Sequence, residues 1–204
     1  MPDEPERGGC RGRRGLVVAT CITVNILEAT NGAVLGIVIP SIAEEFGASV
    51  ELAAWVQLAP GFASAMLGPS IGKFADMMGR THTWWFFMFC MVLSFFLCAS
   101  STSIEMLVAA RTLGGLSWAG TGPSGFAIMA DKMPPEKRGL VSAWQSSSGA
   151  LGGSVGAASG GIMVFYFGWR YLFQMPLIPM LVLWIASLFI LPFDQKLESG
   201  EAKR

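Results

Sequence analysis

Two ionisable residues stand where ionisable residues are costly. Glu28 is the one charged side chain between Gly15 and Ala43, and Arg111 the one between Met106 and Ala130. A charge held at membrane depth costs roughly 3 kcal/mol or more, so each is a functional candidate by default. Asn25, Glu28 and Asn31 follow at three-residue spacing, which lines them along one helical face. A carboxyl on that face can take up and release a proton as its surroundings change. It can equally form a permanent pair with Arg111 that only holds two helices together.

Both charges need helices long enough to cross a membrane. Leu52 to Gly72, Thr81 to Ile104, Gly139 to Trp169 and Tyr171 to Phe193 contain no Asp, Glu, Lys or Arg. With the two singly charged stretches they make six segments of the ~20 residues that a spanning helix needs. The expected fold class is an all-α membrane protein with six spans, about 16–40, 52–72, 83–103, 106–130, 140–166 and 171–193. A tail of residues 1–15 precedes them and a tail of 194–204 follows. Charged residues are 14% of the chain, against about 25% in a soluble domain. The apolar runs are continuous, which excludes an outer-membrane barrel, and too many and too long for a secretory signal. Glu28 lies 13 residues beyond Gly15 and Arg111 six beyond Glu105. At 1.5 Å per residue those are about 20 Å from one side and about 9 Å from the other, nearly one depth in a core of roughly 30 Å. Spans one and four are expected to face each other there.

Basic residues set the orientation. Arg7, Arg11, Arg13 and Arg14, then Lys73 and Arg80, then Lys132, Lys137 and Arg138, then Lys196, Lys203 and Arg204 fall at the two tails and the even-numbered connections. Those are twelve of the fourteen; Arg111 is within a span and Arg170 is in an opposite-side connection. Both termini are expected in the cytoplasm of a cell (inner or plasma) membrane protein. The net charge of zero gives no reason to expect a nucleic-acid partner. Cys10, Cys21, Cys90 and Cys98 lack C-x-x-C spacing, so neither a disulfide nor a zinc site is expected. No cofactor is called for beyond a proton gradient, and connections of about 8 to 12 residues leave no room for a soluble catalytic domain.

Span five carries Gly149, Gly152, Gly153, Gly156, Gly160 and Gly161. Ser148, Gly152, Gly156 and Gly160 form one four-residue row, and Gly149, Gly153, Ala157 and Gly161 form another. Such rows let a neighbouring helix approach backbone to backbone. Two rows offer more surface than one neighbour needs, which points to a partner outside the six helices as well. Gly68-xxx-Gly72 before Gly79-Arg80, and Gly156-xxx-Gly160 before Gly168-Trp169-Arg170, suggest a repeat of three plus three helices in opposite directions.

These segments resemble the major facilitator superfamily, and within it the drug/proton antiporters. Gly72-Lys73-Phe74-Ala75-Asp76-Met77-Met78-Gly79-Arg80 is similar to the family's G-x-L-A-D-R-x-G-R, with Met77 in place of Arg. That resemblance implies a connection active in conformational switching; by their residue types alone, Gly72 and Gly79 permit a tight turn and Asp76 can accept hydrogen bonds at a helix N-terminus. Arg111-Thr112-Leu113-Gly114-Gly115 resembles R-x-x-x-G, whose Arg the family implicates in proton transfer. Gly152-xxx-Gly156-Ala157-Ala158-Ser159-Gly160-Gly161 resembles the antiporter signature G-xxx-G-P-x-x-G-G, with Ala157 in place of proline and therefore a weaker kink. Pro134 to Gly139 looks like the usual connection between spans four and five. Asn31 to Pro40 resembles D-x-x-x-x-N-x-x-x-P with Asn31 at the acid's position, which makes Glu28, one turn earlier, a candidate relocated acid. Trp169 to Phe173 and Pro176 look like the start of span six in fourteen-helix exporters.

The resemblance runs from about Thr30 to Pro176 and implies the N-terminal half of a transporter that moves substrate between two six-helix halves by alternating access. The expectation is proton-coupled efflux of small amphipathic compounds or drugs from the lipid-embedded chain. The missing half is then a second copy, a separate chain, or the remainder of a truncated or split product. Metabolite uptake by the same fold and a non-transporting membrane subunit are the alternatives. Trp55, Gln57, Trp118, Gln145 and Gln174 are candidate cavity residues. Gly122-Pro123-Ser124-Gly125 also fits the G-x-S-G of rhomboid-like intramembrane proteases. The one histidine, His82, is expected at the cytoplasmic surface about 10 Å from the depth of Ser124, too far to activate it. The chain is not expected to be an enzyme.

Overall fold

A computed structural model describes residues 7–131, 133 and 135–191, in six long helices. They are α1 (Arg7–Phe46), α2 (Val50–Met78), α3 (Arg80–Ala99), α4 (Ile104–Asp131), α5 (Arg138–Phe167) and α6 (Tyr171–Ile190), with a 3-10 turn at Pro135–Lys137. The side chains of residues 1–14, Lys132, Pro134, Pro135 and residues 192–204, including Cys10 and most of the basic residues behind the expected orientation, lie outside the described set. Cys21, Cys90 and Cys98 are free thiols.

The helices run past their apolar cores, so the connections are shorter than expected: three residues between α1 and α2, and Gly79 alone between α2 and α3. A helix satisfies its own backbone groups, so the end of an apolar stretch does not end it; a residue with unusual dihedrals does. Gly79, at φ 95°, breaks the chain, and its N–H still closes onto the Ala75 carbonyl. Gly72 to Met78 are therefore helical. Gly72 makes no turn, and Asp76 sits in the last turn of α2 rather than at a helix N-terminus. Gly168, at φ 78°, ends α5 in the same manner, with its N–H on the Val164 carbonyl. The two glycines thus terminate the second helix of each three-helix set.

Packing follows the same repeat. The helix α2 lies along α4, the first helix of the other set, and α5 lies along α1. The helix α3 packs on α4 and α6, joined by Ser94 donating to the Ala110 carbonyl at 2.6 Å and by the Trp184 indole donating to the Trp85 carbonyl at 3.0 Å. Five of the six helices are long and apolar enough to cross a membrane by composition. The exception is α4, long enough at 28 residues but rich in small and polar side chains. Its Gly114, Gly115, Ser117, Gly120, Thr121 and Ser124 are buried against other helices, so α4 does not need a lipid-compatible surface.

At one end, Arg170 donates to the Glu45 carboxylate and, at 2.9 Å, to the Ser101 carbonyl, while the Trp169 indole also donates to Glu45. Glu45, Ser101 and Arg170 belong to the α1, α3 and α6 ends, so the odd-numbered connections gather on one side. At the other end Arg80 pairs with Asp131 at 3.1 Å, tying the α2–α3 turn to the end of α4.

Candidate functional site

Glu28 and Arg111 line one cavity of about 430 Å³, together with Asn25, Asn31, Pro60 and Trp118. They are its two charged residues; its remaining walls are small or apolar, including Phe95 and Met91. Trp118, 52% exposed, stands at the mouth. The depth argument therefore brings the two charges into one chamber. The ion pair that one reading anticipated is not formed. Glu28 Oε1 is buried without a hydrogen-bond partner, whereas Arg111 is engaged elsewhere.

Arg111 Nε donates to the Val56 carbonyl on α2 at 3.3 Å, its Nη1 donates to Asn31 Oδ1 at 3.4 Å, and the guanidinium carbon lies 5.8 Å from the Phe173 ring centre. Asn31 is 5% exposed, and its Nδ2 donates to the Leu172 carbonyl on α6 at 2.8 Å. Asn31, read from sequence as a replacement for an acid, is thus a junction among α1, α4 and α6. Asn25 reaches the Gln145 carbonyl of α5 only at 3.5 Å. The three-residue stripe does lie along the cavity.

The glycines of α5 separate into two functions. Gly152 and Gly156 are buried on α1, where a Cβ would stand 2.4 Å from the Ile26 and Thr30 carbonyl oxygens respectively. Gly160 likewise meets Val34. The other row is open: a Cβ at Gly153 or Gly161 would meet nothing within 4 Å. The mirror contact on the other side is Gly115, whose Cβ would stand 2.3 Å from the Pro60 carbonyl oxygen. Sequence reasoning named Gly115 only as the glycine of the R-x-x-x-G resemblance, without a packing role, and did not single out Pro60; a proline in span two opposite a helical glycine in span four was the available signal.

Asp76, Gly72 and Arg80 line a separate cavity of about 200 Å³ between α2 and α4, and Gly79 is the turn beside it. Ser124 is buried in that wall, and His82 rests edge-on against Trp85 at the start of α3. Of the further candidates, Trp118 lines the large cavity, Gln57 lies 3.5 Å from where a Cβ at Gly36 would stand, and Gln145 borders a smaller space beside Cys21. Trp55 is 46% exposed and stacks near Phe62, and Gln174 borders none of these cavities.

A half-buried acid and base share a chamber between helices of the two sets, and comparison with known proteins decides the family. The sequence profile of the Major Facilitator Superfamily matches residues 21–204. The chain belongs to that family. The vacuolar membrane amino acid uptake transporter fnx2 of Schizosaccharomyces pombe is 29% identical over 169 residues, 82% of this chain and 29% of that protein. The multidrug export protein EmrB of Haemophilus influenzae is 27% identical over 175 residues, 85% of this chain and 34% of that protein. Among solved structures, a bacterial homolog of the human lysosomal transporter Spinster, inward-facing and unoccupied, superposes with a TM-score of 0.76 at 19% identity. It covers 94% of this chain and 44% of that one. This major facilitator chain is a multi-pass membrane protein with the half-transporter fold, and it spans about a third of the length of the curated relatives it matches.

Proposed function

We propose that this chain provides one half of a proton-coupled exporter of small amphipathic compounds, working by alternating access with a second six-helix half. The observation that carries the reading is the unpartnered Glu28 Oε1 in a cavity whose other polar side chains are Asn25, Asn31, Ser64 and Arg111 and whose remaining walls are small, apolar or aromatic. A carboxyl without fixed partners exchanges a proton at low cost when the chamber turns from one side to the other. Protonated it is neutral and suits an empty, closing cavity; ionised it must meet water or substrate. Aromatic and thioether walls at Trp118, Phe95 and Met91 suit an amphipathic ligand. The second half is a further copy, a separate chain or the remainder of a truncated or split product, both termini are cytoplasmic, and the membrane is the cell membrane. The proton gradient is the sole energy source, with no bound cofactor.

In membrane vesicles containing the complete transporter, an imposed proton gradient is expected to drive movement of a fluorescent amphipathic dye. Glu28→Gln is expected to cut gradient-driven movement at least ~100-fold, the lower end of the usual weight of a positioned proton-transfer group. Unchanged gradient-driven transport in that variant would overturn the assignment. Uptake is the second reading, favoured by the likeness to an amino acid uptake transporter. Direction is read from whether the dye enters or leaves intact cells.

A further inference from the structure

Arg111 lines the same chamber as Glu28 and does not pair with it, and two prolines account for this. Proline has no N–H, so inside a helix it leaves the carbonyl four residues earlier without its helical donor. Pro60, inside α2, leaves the carbonyl of residue 56 in that state, and Arg111 Nε donates to the Val56 carbonyl. Pro176, inside α6, does the same to residue 172, and Asn31 Nδ2 donates to the Leu172 carbonyl. Asn31 Oδ1 then accepts from Arg111 Nη1. A continuous relay thus runs from the proline-freed carbonyl of α2, through Arg111 of α4 and Asn31 of α1, to the proline-freed carbonyl of α6.

We propose that Pro60 and Pro176 are positioning residues, which create the two carbonyl anchors that hold the Arg111 guanidinium away from Glu28. This rests on the reading of Glu28 as the working acid of the cavity. An unpaired buried carbonyl is costly in a medium without water, and so is an arginine donor without an acceptor. The anchors satisfy both at once. They leave Glu28 Oε1 as the group without a partner, in a cavity where Arg111 is the one other charge. In Pro60→Ala the N–H returns, the Val56 carbonyl closes within α2, and Arg111 Nε loses its acceptor. The one carboxylate lining the same cavity is that of Glu28. The fold tolerates this substitution, because the tight contact between α2 and Gly115 is made by the Pro60 backbone, which alanine retains.

The test is labelling by dicyclohexylcarbodiimide, an apolar reagent that modifies protonated carboxyls, in vesicles of the full chain, with mass spectrometry to locate the adduct. Glu28 is expected to label in the unsubstituted chain. In Pro60→Ala its labelling falls about tenfold, the smallest effect of an opposite charge brought alongside a carboxyl. Pro60→Ala combined with Arg111→Gln restores labelling, since there is no guanidinium left to swing across. Pro69→Ala, the other proline of α2, leaves labelling unchanged. Pro176→Ala lowers it by a smaller factor, because Val56 still holds Nε. Full labelling in Pro60→Ala overturns the inference, as does a fall that persists after Arg111→Gln or the absence of Glu28 labelling in the unsubstituted chain. Should Pro60→Ala fail to enter the membrane, unchanged labelling in Pro176→Ala overturns the relay. Dye transport by Glu28→Gln is a separate measurement and decides the proton-coupling reading by itself.

Discussion

A guanidinium has five donors and no acceptor, so an arginine within a bundle adopts whatever arrangement supplies carbonyls and carboxylates at the right spacing. Arg111 and Arg170 illustrate two solutions. Arg111 takes a backbone carbonyl and an amide oxygen. Arg170, at the helix ends, takes the Glu45 carboxylate and the Ser101 carbonyl while stacking 4.5 Å over the Trp169 ring. This second arginine was the exception in the count of basic residues by connection, and its partners explain its place. It ties α1, α3 and α6 at one end. Because the planar fork and the stacking both matter, lysine is a poor replacement. Arg170→Lys is expected to lower the thermal stability of the detergent-solubilised protein nearly as much as Arg170→Ala, by about 1 kcal/mol for partly exposed contacts. Thermal unfolding followed by size-exclusion chromatography checks this, and a lysine variant as stable as the original would show that charge alone suffices. At this scale the sequence revealed which residues were unusual, since a lone charge in an apolar run is conspicuous. Their partners were not legible. Val56 and Leu172 contribute only backbone oxygens, and no side-chain pattern announces a carbonyl that a distant proline has freed.

Helix-on-helix packing in lipid relies on close approach rather than on apolar burial, so the decisive elements are those whose backbones touch. The helix α5 meets α1 through Gly152 and Gly156, with no room for a Cβ before the Ile26 and Thr30 carbonyls. Backbone cannot yield as a flexible side-chain tip can. Gly156→Val is therefore expected to force the two helices apart and to cost at least the ~1–3 kcal/mol typical of overpacking. Gly153→Val, three residues away on the open row, is expected to cost far less, because a Cβ there meets nothing. Comparing the yield of folded protein from membranes, together with its melting temperature, separates the two; equal losses would mean that helix propensity and not approach sets the requirement. The four-residue rows were legible from spacing alone. Which row faces α1 was not, because both satisfy the pattern and only the placement of α1 distinguishes them. Helix ends were misjudged for a related reason: apolar length measures the bilayer, whereas Gly79 and Gly168 terminate the helices by their dihedrals.

For the molecule as a whole, the question is what covers the cavity. The helices bordering it are unevenly enclosed: the membrane-spanning stretches of α2 and α5 are 11% and 17% buried, against 56% for α3. Lipid over the α2 and α5 faces would bring hydrocarbon to a chamber holding Glu28 and Arg111, at a cost of roughly 3 kcal/mol or more per charge. A second six-helix half placed there instead closes the chamber with protein and leaves a path that can open to either side. The glycine spacing hinted at the three-plus-three arrangement and the family resemblance implied the half-size of the unit, but the uncovered faces appear only once α3 is seen enclosed and α2 and α5 are not. Gly68 on α2 and Gly161 on α5 lie on these faces, with nothing within 4 Å of a built Cβ. A cysteine at either position, labelled in native membranes with a maleimide carrying a photoreactive benzophenone and then irradiated, is expected to give an adduct heavier than the single chain, and its mass distinguishes a second copy from a separate partner. Cysteine at Ile178, 70% exposed on α6 and away from the cavity, is expected to give none. Adducts from position 178 as abundant as those from 68 and 161, or none from the latter two, would mean that lipid and not a second half covers α2 and α5.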